Sequence, residues 1–127
     1  MFYRVAEIVK RLNLDLEFIS SGNCVDYSPV TGEQIASFPL SDADRIRTVN
    51  ERSKQAFMEW RQVEPNERSA LLRLFGEELR AQKEALTELV VIETGKIYAT
   101  ALKEVERSIE ICDMVADMQY RMSGFSV

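Results

Sequence analysis

Between residues 3 and 12 the apolar side chains Val5, Ile8, Val9 and Leu12 recur at helical spacing, with Arg4, Glu7, Lys10 and Arg11 opposite. That spacing predicts a short amphipathic helix, and Asn13 suits its stop. The pattern changes over residues 22–39. Cys24-Val25-Asp26-Tyr27 reads as one strand, and Gln34-Ile35-Ala36-Ser37-Phe38, with its polar and apolar alternation, as another. Between them lies Ser28-Pro29-Val30-Thr31-Gly32-Glu33. Proline presets φ for a turn and glycine supplies a positive φ, so a hairpin follows. An isolated hairpin is marginal and needs something to pack on.

From residue 40 onward the period is helical. Ser41 is the expected N-cap, with Asp42 and Asp44 favouring the positive end of the helix dipole. Ile46, Val49, Ser53, Ala56, Phe57 and Trp60 form a stripe that ends near Arg61. Pro65 suits a first helical turn, and Leu71, Leu72, Phe75 and Leu79 form the next stripe. Leu86, Leu89, Val90, Val91 and Ile92 continue after a bend near Gln82, and Gly95 fits a left-handed cap. The last helix, about Ile97 to Arg121, is expected to be the longest. Tyr98, Leu102, Val105, Ile109, Cys112 and Ala116 form one row, and Ile111, Val115, Met118 and Met122 a second. Two apolar rows imply contact on two sides. A coiled coil is the lesser reading, because the pattern runs for too few heptads. Met58, Met114, Met118 and Met122 lie at helical spacing and read as core. The fold class is mainly α, with four or five helices and one N-terminal β-hairpin. One domain is expected over 1–127: helix and linker at 1–21, hairpin at 22–39 and a helical region at 40–127. No internal repeat or low-complexity segment interrupts it.

Composition narrows the chemistry. The chain has 127 residues, 46% of them hydrophobic and 29% charged, with a net charge of −5. A chain this long buries roughly two-thirds of its unfolded surface, enough for a real core. An acidic balance argues against nucleic-acid and anionic-membrane partners, which need a basic surface. With no histidine, Ser-His-Asp and Cys-His catalysis and histidine-ligated metals drop out. The two cysteines, Cys24 and Cys112, cannot build a four-ligand zinc site and fit reduced thiols better than a disulfide scaffold. Both read as buried structural cysteines. The first residues lack the apolar stretch of a signal peptide and no run approaches a membrane span, so a cytoplasmic location is expected.

Glu77 with Glu78, and Glu104 with Glu106, could be called carboxylate pairs, but helical residues so close in sequence do not face each other. A solvated face is the plainer reading. Gly22, Gly32, Gly76, Gly95 and Gly124 match no phosphate-binding motif. Gly95-Lys96 lacks the upstream glycine and following hydroxyl of a P-loop. No catalytic, cofactor-binding or metal-binding residue is therefore assigned.

The order of short motifs carries more. Ser28-Pro29-Val30-Thr31-Gly32-Glu33-Gln34-Ile35-Ala36 resembles the hairpin at the start of NAD(P)-dependent aldehyde dehydrogenases. Ala56-Phe57-Met58-Glu59-Trp60-Arg61 resembles a helix end of that family, and Glu67-Arg68-Ser69-Ala70-Leu71-Leu72 a helix start. Glu93-Thr94-Gly95-Lys96 and Glu104-Val105 resemble two motifs that follow. The tail Glu110-Ile111-Cys112-Asp113 is most similar to the antiquitin branch, the α-aminoadipic semialdehyde dehydrogenases.

The resemblance covers about residues 3 to 125. It implies the leading helical part of an NAD-binding domain, an incomplete domain without its Rossmann-like sheet. The family's nucleophilic cysteine, general-base glutamate and cofactor turn come later, and neither Cys24 nor Cys112 matches the nucleophile. The resemblance thus implies a parent reaction that oxidises an aldehyde to a carboxylic acid with NAD(P). It implies a chain that alone binds no cofactor and catalyses nothing. The expected partner is the remainder of a dehydrogenase or a second copy of the chain. The alternatives are a self-associating helical module and a non-catalytic subunit docking onto a separate dehydrogenase part. As scaffold, Gly32 would permit the turn and Trp60 would close its helix against the layer beneath. Arg68 would pair or cap, Lys96 would satisfy helix carbonyls beside Gly95, and Glu104 would accept from backbone.

Overall fold

The computed structural model describes residues 2–17 and 19–122 of the chain. Its elements are α1 (Phe2–Arg11), β1 (Cys24–Tyr27), β2 (Gln34–Phe38), α2 (Ala43–Trp60), α3 (Pro65–Ala81), α4 (Lys83–Thr94) and α5 (Tyr98–Met122). The protein is mainly helical with one antiparallel hairpin near its N-terminus, as the periodicity predicts, and α5 is the longest element at 25 residues.

The core gathers at the junction of α1, β2 and α4. Val5, Ile8, Val9, Ile35, Ala85 and Ile92 form one buried cluster, with Leu12, Ile19 and Leu89 packed against it. Ile8 is 1% and Ile35 2% exposed. The amphipathic face of α1 thus supplies the surface the hairpin needs. Asn13 ends α1 with a φ of 54°, and the Leu14 N–H returns to the Val9 carbonyl at 3.0 Å. Asparagine tolerates this left-handed backbone better than most residues.

In the hairpin, Cys24 lies opposite Phe38 and Val25 opposite Ser37, with an irregularity between Asp26 and Tyr27. The Ser28 N–H donates to the Glu33 carbonyl and the Gly32 N–H to the Ser28 carbonyl, both at 2.9 Å. Gly32 takes a φ of 69°. Residues 19–22 strap the far side of β2, where the Ser37 N–H donates to the Ile19 carbonyl at 2.8 Å. Gly22 sits so close that a Cβ there would fall 1.6 Å from the Phe38 carbonyl carbon.

The helical region departs from the sequence reading in its faces rather than its boundaries. Asp42, not Ser41, caps α2, its Oδ1 accepting from the Arg45 N–H at 2.7 Å. That stripe of Ile46, Val49, Phe57 and Trp60 is exposed, and α2 buries none of its residues. Trp60 is 41% exposed and closes no layer. On α3 the buried residues are Ser69 and Gly76, while Leu71 and Phe75 are exposed. Small residues win that face because α5 passes close: a Cβ on Gly76 would lie 3.2 Å from the Cys112 Cβ.

The two helices run antiparallel, paired by Arg73–Asp117 at 2.6 Å and Arg80–Asp113 at 2.8 Å. Lys83 of α4 adds Glu106 at 3.1 Å. Gln82 separates α3 from α4, as the expected bend requires. On α5 the first row is the packed one, with Val105, Ile109 and Ala116 buried, joined by Ala101. Tyr98 of that row, and Ile111, Val115 and Met118 of the second, are exposed. Met58 and Met114 are exposed too, so these methionines are not core. The Met122 side chain lies outside the described residues.

Candidate functional site

Both thiols are free. Cys24 is exposed on β1 rather than buried, because β1 is the outer strand of the hairpin. Cys112 is half-buried at the α3–α5 crossing. Neither makes a hydrogen bond among the described residues, and the chain has no histidine to act as base. An activated thiol needs a base, cation or helix N-terminus beside it.

The acidic pairs resolve into separate surface contacts. Glu78 accepts from Gln82 Nε2 at 3.1 Å and Glu106 from Lys83 Nζ at 3.1 Å, while Glu77 is exposed. Among the described residues no three metal-ligating side chains cluster, and no helix is long and apolar enough to cross a membrane.

What the fold does bring together is the hairpin turn, the end of α4 and the start of α5. Gly95 closes α4 with a φ of 71° and its N–H donates to the Val91 carbonyl at 2.9 Å. The turn rests on it: a Cβ on Gly95 would lie 3.0 Å from Val30 Cγ2 and 3.2 Å from Pro29 Cγ. Thr94 Oγ1 donates to the Val90 carbonyl at 2.6 Å. With these carbonyls satisfied locally, Lys96 turns to α5 instead. Its Nζ donates to both oxygens of Glu104, at 2.7 and 2.9 Å. The expected roles of Lys96 on helix carbonyls and Glu104 on backbone are therefore replaced by one ion pair between them. Three motifs separated in sequence meet in this one corner.

The same corner holds a feature that sequence reasoning missed. Glu93, at the end of α4, hydrogen-bonds through its carboxyl to Asp26 on β1. Partial burial raises the Glu93 pKa above its ordinary 4.5, and the charge of Asp26 and the shared hydrogen bond raise it further. No local pattern joins a strand aspartate to a distant helix-end glutamate, so nothing in the sequence signals the pair.

Three of the helix starts that could meet the pyrophosphate of a nicotinamide dinucleotide carry acids. That pyrophosphate wants free backbone N–H groups at a helix N-terminus and no acid nearby. Asp42 and Asp44 occupy the start of α2, Glu64 and Glu67 that of α3, and Glu84 that of α4. Lys96, before α5, is already committed to Glu104.

Comparison with known proteins agrees with the motif order. The sequence model described as the aldehyde dehydrogenase family matches residues 18–127. Malonate-semialdehyde dehydrogenase 2 of Geobacillus thermodenitrificans (strain NG80-2) is 35% identical over 97 residues, 76% of this chain and 20% of that protein. The 3,6-anhydro-alpha-L-galactose dehydrogenase of Vibrio sp. (strain EJY3) is 35% identical over 97 residues, again 76% and 20%. The NAD(P)+ succinate semialdehyde dehydrogenase Sad of Escherichia coli (strain K12) is 32% identical over 95 residues, 75% of this chain and 21% of that protein. The chain spans about a fifth of the length of the curated relatives it matches.

Proposed function

The chain belongs to the aldehyde dehydrogenase family, and from that membership we propose that it is the scaffold part of an NAD(P)-dependent semialdehyde dehydrogenase. The parent reaction oxidises an aldehyde to a carboxylic acid. The 127 residues contribute the helices and hairpin that brace the catalytic parts and supply no reacting group themselves. The observation that carries this reading is the convergence of the hairpin turn, Gly95 and the Lys96–Glu104 pair, which spends all these groups on holding elements together. The location is taken to be the cytoplasm, in keeping with two unpaired cysteines.

The substrate class rests on two likenesses. The tail at Glu110–Asp113 resembles α-aminoadipic semialdehyde dehydrogenases, while two of the similar proteins act on malonate and succinate semialdehydes. All three substrates are aldehydes carrying a carboxylate, and the proposal commits to that chemistry. The NAD(P) of the parent reaction would be held by parts of the enzyme beyond these residues.

The test mixes the purified chain with succinate semialdehyde and NAD+ or NADP+. It does so alone and with a similar dehydrogenase from which the matching fifth has been removed. Reduced cofactor should form only in the mixture. Turnover by the chain alone, or none in the mixture while the two parts bind, sinks the scaffold reading.

A second reading has its own observation. Leu71, Phe75, Ile111 and Met118 are exposed on the α3–α5 pair, and soluble monomers seldom leave large apolar patches open. A second copy could cover them. Light scattering that gives a monomer mass at high concentration removes this alternative.

A further inference from the structure

Helix α1, strand β2 and helix α4 do not close completely on one another. Between them lies a cavity of about 360 Å³, walled by Val5, Val9, Leu14, Ile35, Leu89 and Ile92. Protein interiors pack as densely as organic crystals, with few voids larger than a water molecule. A space of this size instead falls within the range of small-molecule pockets. Its apolar walls give water too few partners to hold it there.

One polar group on the wall stands out. Thr94 commits its hydroxyl to the Val90 carbonyl, but Glu93 lies on the wall, exposed to solvent, with no cation paired to its carboxyl among the described residues. An apolar chamber with the Glu93 carboxyl on its wall and no cation paired with it matches one ligand chemistry: a hydrocarbon tail with a positive head.

We propose that this cavity binds a primary alkylammonium ion, its chain among Val9, Ile35, Leu89 and Ile92 and its ammonium group on Glu93. The head group is a hydrogen-bond donor only, and the Glu93 carboxyl accepts from it. The tail gains by leaving water. This inference is independent of the scaffold role, because it uses the α1–β2–α4 core and none of the exposed rows on α2, α3 and α5.

Calorimetric titration of the full chain with butyl-, hexyl- and octylammonium chloride tests it, with 1-octanol and octanoate as comparisons. One site is expected, with affinity rising roughly fourfold per added methylene until the chain outgrows the cavity. Octanoate should not bind. Glu93→Gln should weaken octylammonium about tenfold, the scale of a hydrogen bond to a charged group, and leave 1-octanol unchanged. Leu14→Trp, at the exposed rim, should block both ligands while thermal stability holds. The proposal is overturned by absence of octylammonium binding at millimolar concentration, or by octanoate binding as well as octylammonium. It is equally overturned if octylammonium binding survives Leu14→Trp, which would place the amine on the exposed helix rows.

Discussion

At the scale of single residues, the sharpest constraint is Gly22. The atoms a Cβ would meet are Phe38 and Pro39 backbone, at 1.6 to 2.1 Å, and backbone cannot swing aside as a side chain can. Gly22→Ala should therefore detach the strap from β2 and cost about 3 kcal/mol or more, read from the denaturation midpoint. A loss under 1 kcal/mol would mean that the strap is not held as described. Gly95 was legible in the sequence because its need is local, a left-handed cap after a helical run. The need for Gly22 was not, because the crowding atoms come from a strand reached only after the hairpin has turned back.

The Asp26–Glu93 pair was hidden for the same reason, and it carries a pH dependence of definite sign. Glu93 binds its proton more tightly when folded than when unfolded. Its contribution is therefore fully present below its ordinary value of 4.5 and is lost as pH rises through the raised folded value. Relative to Glu93→Gln, the native protein should lose stability as pH climbs from 4 toward 7. A stability difference between the two that is flat across that range would show that the pair does not form.

Element boundaries followed from local signals, which is why Cys24–Tyr27, Gln34–Phe38 and the Gln82 break lie where the pattern put them. Buried faces did not, because a helical period says only that a stripe exists. On α3 the apolar stripe through Leu71 and Phe75 points away from α5, and Gly76 occupies the contact. The consequence is testable by exchanging the two. Gly76→Leu should force α3 from α5 and cost about 2–3 kcal/mol. Phe75→Gln should stay within about 0.5 kcal/mol, as surface changes usually do. Equal penalties would put Phe75, not Gly76, at the packing face. The ion pairs Arg73–Asp117 and Arg80–Asp113 join exposed groups, so they fix the antiparallel register more than they stabilise it.

Across the whole molecule, the family was readable from the order of five short motifs, and three of them turn out to be one packed corner of hairpin turn, Gly95 and Lys96–Glu104. The motif ending at Trp60 behaves differently: Phe57, 57% exposed, and Trp60 sit on a helix that buries none of its residues. Large aromatic side chains at helical spacing on an element that buries nothing are out of proportion to solvent exposure. The scaffold reading explains them as contacts to the rest of a dehydrogenase. Phe57→Gln with Trp60→Gln should then leave the unfolding midpoint of this chain within about 0.5 kcal/mol. The same change should weaken its capture of a similar dehydrogenase lacking the matching fifth by at least about tenfold, the scale of an interface aromatic. If the double variant instead unfolds the chain, α2 is part of its own core. If capture is unchanged, the contact surface lies on the α3–α5 rows, and Ile111→Gln with Met118→Gln should then abolish it.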